Sequence, residues 1–289
     1  MIWQPAPYPW PEGKRAAACF SVDVDAVSPY LWATRNARPE TIAVPEHRMA
    51  GMRRGLSRMT DMLARLDLRG SFFVPAVVAR ENPDLLPGLV ERGHEIALHG
   101  DWHELVGDIS VQQFTDALEG SIQLFVAQTG QRPEGFRSPA WEMTPHMLRE
   151  LRRLNLWDSS LMGEDVPYSI GGVTELPVRW DIDDAIFFKF LGAGDRAPRS
   201  HLEIGERWQS EARSARRHGS LFMLTVHDWI SGRPARIDML EDLWRMIAHS
   251  DDIWRPTCGE LAQHHRGLTD QPDFPLPQLP VHTTKGSPQ

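Results

Sequence analysis

Short apolar segments alternate with amphipathic segments along most of this chain, and this alternation limits the folds open to it. Apolar segments span residues 16–25, 95–98 and 220–226, while residues 49–66 and 236–250 carry apolar side chains at helical spacing. Strands that alternate with helices are typical of a mainly parallel sheet. Because the composition does not break and no internal repeat is present, we predict an α/β protein with a single-domain closed or distorted (β/α) barrel.

We expect three parts in the chain. Residues 1–14 form a Pro- and Trp-rich extended arm, residues 15–268 form the barrel, and residues 269–289 form a Pro-rich tail. Residues 26–46 contain prolines and show no clear period, which predicts a long loop of the kind that covers a functional site. The apolar segment at 186–190 predicts a strand.

Two helix starts carry a specific signal. Ser110 followed by Gln113, and Thr257 followed by Glu260, have the spacing of a capping box. In that motif each polar side chain binds the backbone N–H of the other residue, which satisfies two donors that the first helical turn leaves free. We therefore predict that helices begin at these two positions.

Charge and composition exclude several classes of partner. The chain has 289 residues and a net charge of −8, which argues against binding to nucleic acid or to an anionic membrane surface. Its two cysteines, Cys19 and Cys258, do not make a disulfide framework. No apolar run reaches the ~18–20 residues of a membrane span, and the first residues lack a signal-peptide pattern. We expect a cytoplasmic protein.

Two histidines follow the third predicted strand at a spacing suited to one metal ion. His99 and His103 can meet on a divalent cation if the residues between them make a single turn, and imidazole is a favoured zinc ligand. The carboxyl end of a strand is where α/β proteins place their chemistry. His94 precedes the same strand, so we expect it at the opposite end of the barrel in a structural role.

Charged residues follow three other predicted strands. Asp23 and Asp25 are two positions apart, which places both carboxylates on one face of an extended chain. Two carboxylates this close repel each other unless a cation holds one, and the other is then free to act as a base. Arg137 and His227 each follow a further strand. Together with the two histidines, these are the parts needed for metal-assisted hydrolysis.

Three tryptophans adjoin these residues. Trp102 lies in the loop from His99 to His103, which we call the histidine loop. Trp141 follows Arg137, and Trp229 follows His227. Large rings beside a polar centre are suited to the walls of an apolar pocket. We therefore predict that all three contact the substrate.

The motifs and their order resemble those of the polysaccharide deacetylase family, the NodB-homology domain of carbohydrate esterase family 4, across roughly residues 15–260. The matching motifs are Ser21-Val22-Asp23-Val24-Asp25, His99-Gly100-Asp101-Trp102-His103, Arg137-Ser138-Pro139-Ala140-Trp141 and Leu224-Thr225-Val226-His227. The resemblance implies that Asp25, His99 and His103 hold one divalent metal ion, for which we expect zinc. It also implies that Asp23 is the base, that Arg137 holds the base, and that His227 is the general acid.

One branch of the family is more similar than the rest. Residues 157–162, 175–180 and 183–184 resemble the branch of the Helicobacter-type peptidoglycan deacetylase, bacterial cyclic imide hydrolases and allantoinase-like proteins. The usual first motif has adjacent aspartates, whereas Val24 separates them here. The resemblance implies a distorted (β/α) barrel and a homo-oligomer, with a tetramer suggested for this branch.

Three aspartates remain as candidates for a further role. Asp158, Asp183 and Asp184 lie in the stretches that resemble this branch, and one of them could orient His227 or contact the substrate. Spacing does not decide among them, and we predict Asp158 as a substrate contact.

The resemblance implies a hydrolase of carbon–nitrogen bonds other than peptide bonds, of the deacetylase or amidohydrolase type. One alternative is removal of N-acetyl groups from a carbohydrate, which places the chain in carbohydrate metabolism. The other is a cytoplasmic enzyme that opens a small amide, a cyclic imide or an allantoin-type ring. The long loop and the absence of an export signal favour the small substrate, whereas the family resemblance favours carbohydrate deacetylation, so both stay open. A non-catalytic binding homologue predicts a damaged set of motif residues, and a structural metal site predicts a fourth protein ligand.

Overall fold

The computed structural model describes residues 6–37, 41–192 and 194–277, and one curved, mostly parallel sheet lies at its centre. Its strands are β1 (Ala16–Asp23), β2 (Ser71–Val74), β3 (Glu95–Leu98), β4 (Gly135–Phe136), β5 (Trp157–Asp158), β6 (Tyr168–Ile170), β7 (Val173–Glu175), β8 (Leu221–His227), β9 (Ile253–Trp254) and β10 (Asp273–Phe274). The order across the sheet is β10-β6-β7-β5-β4-β3-β2-β1-β8, and β9 also pairs with β1. The pairing of β6 with β7 is antiparallel.

Helices cover the strands on the outside. They are α1 (Ser28–Ala33), α2 (Ala43–Ala50), α3 (Leu56–Arg65), α4 (Ala76–Glu81), α5 (Leu85–Glu91), α6 (Val111–Thr129), α7 (Pro145–Arg153), α8 (Ala185–Phe188), α9 (His201–His218), α10 (Asp228–Ser231), α11 (Pro234–Ala248) and α12 (Cys258–Gly267). A π-helical turn, Gly51–Gly55, joins α2 to α3. Among the described residues, no helix is both long enough and apolar enough to cross a membrane.

The predicted barrel is confirmed in its distorted form. The two ends of the strand order, β10 and β8, are not paired in the described part of the sheet. One isolated parallel bridge, between Asp183 and Thr225, brings the chain that follows β7 to the free edge of β8. The sheet is therefore a curled half-barrel, and one isolated bridge in its described part links the edge strand β8 to the chain that follows β7.

The first strand organises both the core and the site. All of β1 is buried, and its residues alternate between two apolar clusters, with Phe20 and Val22 in one and Ala17 and Cys19 in the other. This alternation follows from the two-residue period of a strand whose faces are both covered. The strand pairs in parallel with β2 and β8, so its last residue, Asp23, lies opposite His227. Carboxyl ends of parallel strands meet at one rim.

The two predicted helix starts have the expected chemistry. Ser110 accepts a hydrogen bond from the N–H of Gln113, and the Gln113 side chain accepts one from the N–H of Ser110. Thr257 and Glu260 make the same reciprocal pair. These helices begin where the local sequence can satisfy their free donors.

Residues 26–46 do not form the predicted long loop. Helix α1 occupies residues 28–33 and α2 begins at Ala43, while residues 38–40 lie outside the described residues. Helices of six and eight residues are too short to show a helical period in the sequence, and packing on the rest of the domain stabilises them. The predicted loop is thus a pair of short helices on the rim.

The prediction of a strand at 186–190 was also wrong. The segment forms the short helix α8, where the carboxylate of Asp183 accepts a hydrogen bond from the N–H of Ala185 at 2.6 Å. A short apolar run does not distinguish a strand from a buried helical turn. In the tail, β10 pairs with β6, so residues 273–274 extend the sheet. Residues 1–5 and 278–289 lie outside the described residues.

Candidate active site

The ends of β1 and β3 bring together the three predicted metal ligands. The Nε2 atoms of His103 and His99 lie 3.4 and 3.5 Å from the same oxygen, Oδ1 of Asp25. The candidate ligand atoms of Asp25, His99 and His103 all lie within 4.8 Å of one another. Asp25 and His99 are buried, and the side chain of His103 is 13% exposed.

These three residues fit one divalent ion. Ligands about 2.1 Å from a tetrahedral centre lie roughly 3.4 Å apart, which matches the spacing of these atoms. The Oδ1 atom of Asp25 is buried and has no hydrogen-bond partner among the described residues. The backbone carbonyl of Arg137 lies 2.7 Å from Nδ1 of His99, and a proton on that nitrogen leaves Nε2 free to bind a metal. The donor set is therefore the open three-ligand type found at catalytic sites.

The ligands also control one another's charge. Burial would raise the pKa of Asp25, but His103, His99 and His227 outweigh burial and hold it well below its usual range. Burial lowers the pKa of His103 to about 4, although Asp25 acts in the opposite direction. An ionised carboxylate and a neutral imidazole are the forms that bind metals.

Two left-handed residues shape the histidine loop. Gly100 has φ 75° and His103 has φ 60°, and this geometry turns the chain between the two histidines. The carboxylate of Glu104 accepts hydrogen bonds from the N–H groups of Asp101 at 3.0 Å and Trp102 at 2.7 Å. Glu104 is buried and was not predicted, and its position directly after His103 was the available signal.

Arg137 is fully buried and holds Asp23. Its NH1 group donates to Oδ1 of Asp23 at 2.7 Å and to Oγ of Ser21 at 2.9 Å. Its Nε and NH2 groups donate to the carbonyl and hydroxyl oxygens of Ser159, at 3.0 and 2.9 Å. The guanidinium also lies over the ring of Phe73. These four hydrogen bonds fix the position of the guanidinium, which in turn holds the Asp23 carboxylate.

Asp184 is the aspartate that contacts His227. Its carboxylate accepts hydrogen bonds from the backbone N–H of His227 at 2.9 Å and from Nδ1 at 2.6 Å. Burial would lower the pKa of His227, but Asp184, Asp25 and Asp183 raise it well above its usual range. The Nε2 atom of His227 lies 3.9 Å from Oδ2 of Asp25. Asp183 lines the same cavity, and burial raises its pKa to about 7.

Two predicted substrate contacts lie elsewhere. Asp158 is fully buried outside the cavity, where its Oδ1 accepts a hydrogen bond from Ser160 at 2.8 Å. Trp102 is 41% exposed and lines a neighbouring cavity with Val77 and Val78. The turn that brings both histidines to Asp25 leaves the residue between them on its outer side.

The cavity above Asp25 is small and has aromatic walls. Its volume is about 200 Å³, and Trp141 and Trp229 line it as predicted. Trp180 stacks on Trp141, with ring centroids 4.2 Å apart and planes inclined by 30°. The predicted His94 lies away from this cavity, where its Nδ1 accepts a hydrogen bond from the N–H of Gly70 at 3.3 Å.

The sequence of this chain is similar to those of known proteins. The sequence profile of the polysaccharide deacetylase family matches residues 50–157. A peptidoglycan deacetylase of Helicobacter pylori is 25% identical, with 86% of this chain and 96% of that protein covered. The peptidoglycan deacetylase-like protein FGM2 of Gibberella zeae is 30% identical over 63% of this chain, and the chain spans 63% of its length.

Solved structures share the whole fold. A Mycobacterium smegmatis structure described as a polysaccharide deacetylase is 31% identical, with 95% of this chain and 99% of that chain covered and a TM-score of 0.86. The Puue allantoinase has the same fold at 19% identity, with 92% and 95% covered and a TM-score of 0.80. The chain therefore belongs to the polysaccharide deacetylase family and to its class of hydrolases that act on carbon–nitrogen bonds other than peptide bonds.

Proposed function

We propose that this protein is a metal-dependent hydrolase that cleaves the amide bond of a small substrate. The observation that carries the proposal is the placement of two proton-transfer groups around Asp25. The carboxylate oxygen Oδ2 of Asp23 lies 3.8 Å from the metal-facing Nε2 of His99, and Nε2 of His227 lies 3.9 Å from Oδ2 of Asp25. A base and an acid beside the same centre are suited to amide hydrolysis.

The residues divide the chemistry among them. Asp23, held by Arg137, accepts a proton from the attacking water as its oxygen bonds to the amide carbon. His227, oriented by Asp184, donates a proton to the nitrogen as the carbon–nitrogen bond breaks. When bound by Asp25, His99 and His103, a divalent ion supplies Lewis-acid polarisation and a more acidic water. We propose zinc, because two imidazoles and one carboxylate are a common zinc donor set.

The size of the cavity supports a small substrate. Its volume is about 200 Å³, below the roughly 300–1,000 Å³ of most ligand pockets. Pro29 of α1 and Arg48 of α2 contribute to its wall, so the two short helices narrow the approach. A compact N-acyl amide or a cyclic imide or ureide ring suits such a space better than a polymer chain.

Deacetylation of a carbohydrate is the second candidate. The relatives from Helicobacter pylori and Gibberella zeae bear peptidoglycan deacetylase names. In addition, Trp180 is 44% exposed at the edge of the cavity and stacks on Trp141, which offers an aromatic surface to a sugar ring. An intact set of site residues supports an enzyme over a non-catalytic homologue.

A substrate screen on metal-loaded protein tests the proposal. The chelated protein is reloaded with Zn²⁺ and assayed on succinimide, hydantoin, allantoin and N-acetylated chitooligosaccharides. We expect turnover of at least one small ring that exceeds deacetylation of the oligosaccharides, and a large loss of that turnover in Asp23→Asn as the matched control. Faster release of acetate from the oligosaccharides would establish the second candidate. Absence of turnover with every amide would overturn the proposal.

We also propose that the protein acts in the cytoplasm as a homo-oligomer, in accordance with the branch that it resembles. The net charge of −8 supports the absence of nucleic-acid partners. Light scattering after size-exclusion chromatography measures the assembly directly, and a monomeric mass would contradict this part of the proposal.

A further inference from the structure

A second buried arginine lies beside the candidate metal centre, and none of the predicted motifs contains it. Arg48 belongs to α2 and is 4% exposed, yet its side chain lines the same cavity as Asp25, His99 and His103. Buried arginines are rare unless their charge and their N–H donors are matched by acceptors. The surroundings of Arg48 therefore bear on what the cavity binds.

The two arginines of the site differ in how well the protein satisfies them. Arg137 makes four hydrogen bonds, including one to the Asp23 carboxylate. Within the described residues, Arg48 makes one hydrogen bond, from NH1 to the carbonyl of Ala26 at 3.2 Å. Its buried Nε has no hydrogen-bond partner there. A guanidinium carries five N–H donors, so most of those on Arg48 lack an acceptor among the residues that the structure describes.

The carboxylates near Arg48 do not complete its pairing. Its NH1 lies 4.0 Å from Oδ2 of Asp25, which is beyond hydrogen-bond distance, and Asp25 already belongs to the candidate metal ligands. Among the described residues, a second nearby carboxyl, that of Asp228, accepts a hydrogen bond from the N–H of Ala26 at 3.2 Å and makes none with Arg48. Arg48 is thus a positive charge with free donors at the wall of the cavity.

The ring of Trp229 fixes the orientation of the Arg48 guanidinium from one side. Arg48 lies over the ring of Trp229, with its central carbon 4.3 Å from the ring centroid. An aromatic face holds the plane of a guanidinium and leaves its edge for other partners. Lys189, an exposed residue, adds a second cation to the cavity lining. A planar anion such as a carboxylate matches the edge of a guanidinium with two parallel hydrogen bonds.

We propose that Arg48 is a specificity-determining residue that binds a carboxylate carried by the substrate next to the amide that is cleaved. This inference rests on the proposed function and narrows its substrate class to small amides or rings with an anionic substituent. Pairing of that substituent with Arg48 holds the amide carbon next to the water that Asp23 deprotonates and the amide nitrogen next to His227. The proposal predicts a preference for acidic substrates over neutral substrates with the same ring.

The test compares hydantoin with hydantoin-5-acetic acid on the zinc-loaded enzyme, together with calorimetric binding of succinate. The variants are Arg48→Gln, Arg48→Lys and the control Arg54→Gln, which changes an exposed arginine six residues further along the chain. We expect Arg48→Gln to lower the ratio of kcat/KM for the acidic over the neutral ring by about 10- to 100-fold, mainly through KM. Arg48→Lys should restore part of this ratio, and Arg54→Gln should not change it.

The outcomes separate this inference from the proposed function. If both rings are cleaved at the same kcat/KM and the ratio is unchanged in Arg48→Gln and Arg48→Lys, the inference is wrong while the hydrolase proposal stands. If succinate binding depends on Arg48 but no amide is cleaved by the wild type, the anion site stands and the hydrolase proposal fails. A preference for a phosphorylated substrate over the carboxylated ring would overturn the choice of a carboxylate. Thermal unfolding of each variant shows whether the comparison is made on folded protein.

Discussion

Asp184 accepts two hydrogen bonds from His227, one from the backbone N–H at 2.9 Å and one from Nδ1 at 2.6 Å. The carboxylate is fully buried, so this contact is shielded from water and fixes both the ring and its charge. The second nitrogen, Nε2, is left to face the cavity. Asp184 is therefore a positioning residue for the proposed general acid.

The Asp184→Asn variant should separate the effect of Asp184 on the orientation of the His227 ring from its effect on the charge of that ring. An amide keeps the shape of the side chain but removes the main cause that raises the pKa of His227 against the effect of burial. His227 would then lose its proton at a lower pH, and the alkaline limb of the kcat/KM profile should move to lower pH. We expect kcat to fall by about 10- to 100-fold. A pH–rate profile with an unmoved alkaline limb would contradict this role.

The base can be tested without loss of the metal site. Asp23→Asn removes the proton acceptor, while Asp25, His99 and His103 are unchanged. We expect kcat to fall by roughly 10² to 10⁴ and the metal content to stay at the wild-type level. Elemental analysis and steady-state kinetics on the same preparation check both statements, and a kcat close to that of the wild type would rule out Asp23 as the base.

The histidine loop should account for metal retention. His99→Ala removes a ligand that approaches Asp25 Oδ1 to 3.5 Å, and His103→Ala removes one that approaches it to 3.4 Å. We expect each variant to lose most of its bound zinc on dialysis. His94→Ala is the control, because His94 is also buried but lies at the other end of β3. Full metal content in the His99, His103 double variant would disprove the assignment.

A half-buried carboxyl away from the site, that of Glu95, should make stability depend on pH. Glu95 accepts hydrogen bonds from Ser71 at 2.5 Å and from the N–H of Gly259 at 2.9 Å, but burial raises its pKa from 4.5 to about 7. Because the folded pKa is the higher one, its protonated form favours folding at acidic pH. That contribution, about 3 kcal/mol, is lost as pH rises from 4.5 through 7.

The Glu95→Gln variant isolates this effect from other titrating groups. Its free energy of unfolding, measured in denaturant, should fall less steeply between pH 5 and 8 than that of the wild type. The exposed Glu91 provides the matched control, and Glu91→Gln should keep the wild-type slope. Parallel curves for Glu95→Gln and the wild type would show that Glu95 titrates normally.

Close backbone packing between the π-helical turn and α10 should make Gly55 intolerant of a side chain. A Cβ at Gly55 would lie 2.1 Å from the carbonyl oxygen of Asp228 and 3.1 Å from Cα of Gly232. Backbone atoms do not yield easily, so we expect Gly55→Ala to lower the free energy of unfolding by about 1–3 kcal/mol. Gly120→Ala, in the exposed part of α6 with no atom within 4 Å, should instead raise it by roughly 0.5–1 kcal/mol. Denaturant unfolding measures both, and similar changes in the two variants would contradict the packing argument.

The sequence alone determined the longest buried strands, the rim at which they end and most of the residues gathered there. Apolar strands end at or just before five of these residues, namely Asp23, Asp25, His99, Arg137 and His227. Parallel strands carry their carboxyl ends to one edge. Local chemistry also determined the two capped helix starts, because a capping box is satisfied within four residues. These features depend on neighbours in the chain, and a single sequence contains that information.

Only the tertiary structure decided which side chains complete the site. In the fold it is Asp184, and not Asp183 or Asp158, that hydrogen-bonds to Nδ1 of His227. The fold also places Trp102 outside the cavity. It also placed Arg48, which lies between the predicted loop at 26–46 and the predicted helix at 49–66, at the cavity wall. The physical reason is that these contacts join residues far apart in the chain. Their direction depends on how short helices and turns pack, which local spacing does not specify.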